Sequence, residues 1–547
     1  MASTPWRKNP VLYEINTWVW LWSLSQQHGK PITLGSVPDS DLDALAAWGF
    51  DAIWLMGVWE RSASAQQVAV EHPGLQTEYR QALPDYQPAD VVGSPYAVHT
   101  YTVDARLGGR AELAVLREKL AARGMKLILD FVPNHVAIDH PWVQAHPECF
   151  IQGTKEDLEQ KSDHFFQASD EGHFRVYANG RDPYFPAWTD TAQIHAFSPV
   201  LRAKVVDTLL DIASQCDGVR CDMAMLVTNK VFAQTWGERA GQVPPHEYWE
   251  VVIPAVKEAH PDFLFMAEVY WDMEWDLIKQ GFNYTYDKRL YDRMRTEPVR
   301  SVIAHLYADL GFQQQMIRFI ENHDEKRATV SLGPGRDLAC AVLVATLPGA
   351  ALIHEGQMVG RQIKLPVQLG RRVLEPDNAV IEAFYRLLLT EAHHPAYHEG
   401  EWRLRECGPA WDLNASHRAL IAYTWCNGEE RRLVVVNFTP MTSQGRIALP
   451  DFDLAVKDWI LRDAVHQTEY ERDGAEMAEH GLYIDLGPWQ SHVFCFTPKP
   501  VVAAIPAPTP EEKPAAAVVE NPATAEKPTA ATKAQPVAEP DKTSSAP

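Results

Sequence analysis

Residues 216–226 read CDGVRCDMAML. If the run from Asp217 to Asp222 is a β-strand, Arg220 and Asp222 share one face while Val219 and Cys221 share the other. An isolated carboxylate is poorly tolerated inside a sheet or barrel, but one beside a permanently charged guanidinium stays ionised and in position. Such a carboxylate suits a nucleophile. A purely structural Arg–Asp pair has the same local sequence, so the rest of the chain must decide.

From about residue 9 to 395, short apolar runs rich in β-branched or aromatic residues alternate with longer amphipathic stretches. The runs are VLYEIN from Val11, FDAIWLMG from Phe50, MKLILDFV from Met125, GVRCDM from Gly218, FLFMAEVYW from Phe263, FNYTYD from Phe282, QMIRFIEN from Gln315 and AALIHEG from Ala350. Eight strands alternating with helices such as RAELAVLREKLAARG predict an α/β chain folded as a (β/α)8 TIM barrel. A doubly wound open sheet is the structural alternative, but no glycine-rich phosphate turn follows the first strand.

The barrel is predicted over residues 1–135 and 199–396. Between them, residues 136–198 are rich in His, Asp, Pro, Tyr and Trp without regular period, so they read as a small inserted domain rising from the third strand's loop. Residues 397–498 change to alternating strands with polar turns, among them the CNGEE turn between two apolar runs, and predict a C-terminal antiparallel β-sandwich. Residues 499–547 are Ala, Pro, Glu, Lys, Thr and Val without an aromatic ring. That composition cannot bury enough apolar surface to offset its ordering entropy and reads as a disordered tail with no nameable partner.

The formal net charge of −22 argues against nucleic acid or an anionic membrane as partner, since both are polyanions. No stretch is long and apolar enough to span a bilayer; the most apolar, from Leu338, is interrupted by Pro348 and Gly349. The seven cysteines are scattered without CxxC spacing. With no secretory pattern at the N-terminus, these features predict reduced thiols and a cytoplasmic protein. Eighteen tryptophans exceed ordinary usage, and flat apolar rings are surfaces on which sugars stack.

Barrel active sites gather at the carboxyl ends of the strands. There the sequence places Asp130, Asn134 and His135 after the third strand, Arg220 and Asp222 on the fourth, Glu268 on the fifth, and His323 and Asp324 on the seventh, with Tyr96 in the loop after the second. Adjacent barrel strands lie about 4.8 Å apart, and retaining glycoside hydrolysis needs two carboxyls about 5–5.5 Å apart. Asp222 and Glu268 fit that pair. Asp222, held by Arg220, is expected to stay ionised as nucleophile. Glu268, preceded by Phe265, Met266 and Ala267 and with no evident cation, is expected to carry the acid proton.

The ordered segments DFVPNH, DGVRCD, AEVYW and ENHDE resemble the four short conserved regions of glycoside hydrolase family 13, the α-amylase family. The resemblance covers roughly residues 9–498. It implies a retaining glycoside hydrolase for α-glucans or malto-oligosaccharides, with Asp222 as nucleophile, Glu268 as general acid/base and Asp324 as transition-state stabiliser. It further implies that Arg220, His135 and His323 contact the sugar or support the nucleophile, that Tyr96 stacks on the sugar, and that Asp130 orients Arg220. Transglycosylase or phosphorylase action through the same glycosyl-enzyme is the alternative; a non-catalytic binding relative would have lost carboxylates that are present here.

Two departures bear on substrate. Many family members have a Lys-His pair three and four residues beyond the nucleophile, one binding glucan and the other supporting calcium; here Met225 and Leu226 stand there. No cofactor is therefore expected, and for Ca2+ only Asn134 remains as a ligand position. Gly93 stands where exo-glucosidases of the family carry an aspartate. The basic stretch with Arg361, Lys364, Arg371 and Arg372 offers contacts for an acidic or phosphorylated substrate, or else is a solvated loop on an acidic protein.

Overall fold

In the computed structural model, which describes residues 5–170 and 173–500, eight parallel strands close into a barrel in sequential order. They are β1 (Val11–Asn16), β2 (Ala52–Met56), β3 (Lys126–Phe131), β4 (Gly218–Cys221), β5 (Leu264–Ala267), β6 (Tyr284–Tyr286), β7 (Met316–Arg318) and β8 (Ala350–His354). Each lies within one of the runs read from the sequence. Buried on both faces, such strands read as nearly continuous apolar segments rather than as alternating ones.

The register sets which side chains meet inside. Glu14 on β1 pairs with Trp54 on β2 and His354 on β8, while Arg220 on β4 pairs with Asp130 on β3 and Met266 on β5. Paired residues of parallel strands share a face, so Glu14, Asp130 and Arg220 all belong to the barrel interior, where each is fully buried. The outward set on β4, Val219 and Cys221, is also fully buried, against the surrounding helices.

Two excursions rise from the carboxyl ends. After β3, His135–Ala137 pairs antiparallel with Thr191–Gln193, and Phe165–Asp170 pairs with His173–Ala178. After β2, Trp59–Arg61 pairs with Val98–Val103, and between them run two helices, Ala63–Glu71 and Pro73–Ala82. The sequence reading identified the first excursion but not the second, whose second helix is mostly polar and buries only a short stripe, Tyr79 and Ala82 with Leu75 beside them.

Beyond the barrel, a six-stranded antiparallel sheet and a three-stranded sheet form the C-terminal unit. Leu420–Asn427 and Glu430–Asn437 make the hairpin signalled by CNGEE, with Gly428 at φ +59° in its two-residue turn. The tail lies, from residue 501, outside the described residues.

Candidate active site

Arg220 organises the centre of the site. Its Nη1 donates to Asp222 Oδ1 at 2.7 Å, its Nη2 lies 2.8 Å from Glu268 Oε2, and its Nε donates to Tyr286 Oη at 3.3 Å. The Nη2 contact is close but off the N–H axis, and Nη2 has no aligned hydrogen-bond acceptor. The planar group is enclosed by the rings of Trp54 and Tyr96, at 5.3 and 5.2 Å from its central carbon. The β4–β5 ladder, with Cys221 opposite Ala267 and the Glu268 N–H donating to the Cys221 carbonyl, sets the next residues, Asp222 and Glu268, side by side.

This geometry corrects two readings from the sequence. Glu268 does have a cation, the same Arg220 that holds Asp222, because the interstrand register brings both carboxylates to one guanidinium. Asp222 is not simply kept ionised: burial first, then the charge of Glu268, push its carboxyl up to about 8 against the pull of Arg220. The two carboxyls thus share one cation.

Glu268 is held further by Tyr270 Oη, donating to Oε1 at 2.6 Å, and by the Met223 N–H, donating to Oε2 at 2.7 Å. Met223 adopts φ +43°, ψ +46°, a left-handed conformation that is costly for a residue with a side chain and that turns its N–H toward the carboxylate.

Asp324 belongs to a second charged cluster. His323 contacts Glu14 through Nδ1, and its Nε2 lies 2.7 Å from Tyr96 Oη and 3.1 Å from Asp324 Oδ2. Burial alone would lower the imidazole, but Asp324 and Glu14 raise it to about 10, so His323 is a cation with both nitrogens donating. In return, despite burial, Asp324 and Glu14 are held below the ordinary carboxylate range chiefly by His323. Glu14 was missed in the sequence. Its signal was an acid on the inward face of an otherwise apolar strand, alternating with Leu12 and Asn16.

His135 is buried beside Trp188, ring centroids 5.0 Å apart, and burial pushes it down to about 4, so it is neutral. Its neighbour Asn134 is committed elsewhere: Oδ1 accepts from Gln193 Nε2 at 3.0 Å and Nδ2 lies 3.3 Å from His135 Nδ1. Among the described residues no group of three His, Cys, Asp or Glu side chains could hold a metal ion. Asn134, its side chain engaged by Gln193 and His135, offers a single oxygen, which does not make up the six to eight ligands of a calcium site.

Asp130 does not orient Arg220 by direct contact. It accepts from Trp54 Nε1 at 3.1 Å and the Gly57 N–H at 2.8 Å, where Gly57 has φ +77° and a Cβ would meet Arg61 and Pro95. Burial raises its carboxyl, while Arg220 acts on it only through the field. Tyr286 and the two carboxylates orient Arg220 instead.

Tyr96, His135, Asp222, Glu268 and Asp324 line one cavity of about 500 Å³, together with Trp188 and Asp190 of the β3 excursion and Val68, His72 and Leu75 of the β2 excursion. The basic stretch after β8 is mostly neutralised: Arg371 pairs with Asp90 at 2.7 Å and Asp85 at 3.1 Å, Arg372 with Glu355, and Arg361 with Asp377 at 3.8 Å. Lys364 alone reaches the site, donating to the Asp324 carbonyl.

A parallel eight-stranded barrel, an excursion after β3, a terminal antiparallel unit and three carboxylates on one cavity define the class of barrel proteins built around paired carboxyl groups. The chain belongs to the alpha-amylase family: residues 39–368 match the family's model, "Alpha amylase, catalytic domain". It is 25% identical over 366 residues to "Alpha-amylase MalA" of Haloarcula japonica, covering 65% of this chain and 45% of that protein. It is 24% identical over 501 residues to "Alpha-1,4-glucan:maltose-1-phosphate maltosyltransferase 2" of Streptomyces coelicolor, covering 85% of this chain and 65% of that one. The chain thus spans about half to two thirds of the length of the curated relatives it matches. Among solved structures, the noncanonic maltogenic alpha-amylase AmyB of Thermotoga neapolitana has the same fold, at TM-score 0.61 and 19% identity over 89% of this chain and 98% of that one.

Proposed function

We propose that this protein is a retaining enzyme acting on α-glucosidic linkages of α-glucans or malto-oligosaccharides, with hydrolysis as its leading reaction. The observation that carries the reading is Arg220 bridging Asp222 and Glu268, at 2.7 and 2.8 Å, on adjacent strands at the mouth of the barrel. The two carboxyls stand on adjacent strands around one cation, and double displacement needs such a pair, one member ionised and the other protonated.

In the reactive form Asp222 is the anion and Glu268 carries the proton. Asp222 attacks the anomeric carbon as Glu268 protonates the departing glycosidic oxygen; Glu268 then takes a proton from water, whose oxygen displaces Asp222. Asp324, ionised beside the His323 cation, accepts from ring hydroxyls and favours the oxocarbenium-like sugar, an interaction gained mainly in the transition state. Tyr96 offers a ring to the bound sugar. Neutral His135 can donate or accept at a hydroxyl without adding charge beside the developing cation.

Transfer to a sugar hydroxyl is the second reading, supported by the likeness to proteins named as maltosyltransferases. Phosphorolysis has less support, because Arg361, Arg371 and Arg372 face carboxylates. The seven cysteines are free thiols, four of them buried, which fits a reducing compartment such as the cytoplasm. Among the described residues no helix is long and apolar enough to cross a membrane.

Incubation with maltoheptaose, with and without phosphate or glucose, followed by chromatography tests the reading. Shorter malto-oligosaccharides in buffer alone support hydrolysis, glucose-dependent redistribution supports transfer, and unchanged maltoheptaose under all three conditions refutes both.

A further inference from the structure

Glu268 follows β5, and in the closed barrel β5 faces β1, which is flanked by β2 and β8. A group protonated by Glu268 departs on the β5 side, so the sugar chain that stays with the reacting ring runs toward the loops after β2 and β8. There those two loops are joined. The Val92 N–H donates to the Gln368 carbonyl and the Gly370 N–H to the Asp90 carbonyl, each at 2.8 Å, with Val91 paired to Leu369 between them. Arg371 locks the joint through Asp90, at 2.7 and 2.8 Å, and Asp85, at 3.1 Å.

This ladder is a partition. Ser94, Val367 and Gln368 line the catalytic cavity, while Asp90, Val92, Gly370 and Arg371 line a separate cavity of about 330 Å³. Its central pair, Val91 and Leu369, is fully buried against Ala69, Tyr79, Ala82 and Leu83 of the β2 excursion. Gly370 permits the close approach, since a Cβ there would meet Val92 at 2.7 Å. Paired backbone, an apolar core of its own and a bidentate ion pair make a fixed wall rather than a mobile flap.

Two polar side chains stand on the cavity side of that wall. Asp190 of the β3 excursion is half-buried, and its carboxylate meets its own backbone N–H and, through the field, His72. Burial raises it to about 6. Its turn is fixed by the Ile138 N–H, which donates to the Asp190 carbonyl at 3.2 Å, and by the Thr191 N–H, which donates to the Trp188 carbonyl at 3.0 Å. His72 caps the helix Pro73–Ala82: its Nδ1 accepts from the Leu75 N–H at 3.3 Å, which leaves Nε2 to donate. Around them the lining from this excursion is apolar, Val68, Ala69 and Leu75.

Resting on the reading above, we propose that the enzyme works from non-reducing chain ends: the Val91–Leu369 ladder stops the glucan behind the reacting sugar, and Asp190 and His72 bind the hydroxyls of the terminal ring. A free end offers hydroxyls that donate to Asp190 and accept from His72. An internal segment offers a glycosidic ether oxygen with no proton to donate, and its continuing chain runs into the wall. The separation between Asp222 and the wall then fixes one product length.

The test compares three substrates, with and without added glucose: maltoheptaose carrying a fluorophore at its reducing end, the same compound closed by a benzylidene group on its non-reducing ring, and β-cyclodextrin, which has no end. For the wild type, kcat/KM on the open substrate should exceed that on both closed ones at least about 100-fold, because a closed end leaves buried polar groups unpaired. The first unlabelled product should have a single length. Asp190→Ala, with folding checked by circular dichroism, should lose about 10- to 100-fold on the open substrate, the loss of a hydrogen bond to a charged group, and so shrink the preference for a free end. Arg371→Ala, which loosens the ladder, should raise cleavage of the blocked substrate. Equal kcat/KM for open and closed substrates in the wild type, or a series of unlabelled products from the first turnovers, overturns end-directed action, and an Asp190→Ala variant that lowers all three substrates alike overturns the role of Asp190. Unchanged open maltoheptaose with and without glucose overturns the functional reading itself.

Discussion

Replacing Glu14 with Gln tests the second charged cluster, because the substitution keeps the shape of the side chain and removes only the anion facing His323 Nδ1. His323 is raised from an ordinary 6.5 to about 10 in the folded protein and is almost fully buried. A group whose pKa is raised by folding contributes stability that is complete below its unfolded value and is lost as pH rises through its folded value. For His323 the window is pH 6.5 to 10, and the gap corresponds to about 4–5 kcal/mol. Two anions raise this imidazole, and Asp324 is half exposed while Glu14 is fully buried. A hydrogen bond to a charged group contributes about 1.5–3 kcal/mol. Glu14→Gln should therefore lower stability at pH 6 by about 2–3 kcal/mol, shrink the alkaline loss by a similar amount and end it at lower pH. Urea unfolding at several pH values between 6 and 10 measures both curves, and the His323 imidazole resonance, assigned by its absence in His323→Gln, reports the titration directly. If the two stability curves run parallel across this window, Glu14 does not hold the charge on His323.

Asp222→Asn and Glu268→Gln should each lower turnover by at least about 10²–10⁴ while the far-ultraviolet dichroism is retained, and near wild-type turnover in either would remove that residue from the chemistry. Arg220→Ala strands two buried carboxyls, so unfolding stability near pH 8 should drop by about 3–5 kcal/mol; a loss under 1 kcal/mol would contradict the bridging role. Proton NMR of the first product formed should show the α anomer, and initial β product would exclude double displacement. Dialysis against EDTA should leave both melting temperature and maltoheptaose cleavage unchanged, and recovery of lost activity by added Ca2+ would reveal a metal site that the side chains do not suggest.

The strands and their order were legible in the sequence because a barrel strand buried on both faces has a local signature: a short apolar run bounded by helix starts and glycine stops. The placement of Asp222, Glu268, Asp324, Arg220, His135, His323 and Tyr96 was legible too: each stands at or just beyond a strand end or in a strand-end loop, and all line or adjoin one cavity. Local sequence could not say which charge sits against which. Arg220 and Asp222 are two residues apart, so their pairing was readable, but whether Glu268 reaches the same guanidinium depends on the β4–β5 register. Glu14 and His323 are more than three hundred residues apart and become partners only when β1 lies near β7 in the closed barrel. Charge states follow from those long-range contacts and from burial, which is why the proton balance of Asp222 and the charge on His323 were decided by tertiary structure. The same holds for Phe185 and Trp271, which belong to segments that the fold alone brings to a common cavity.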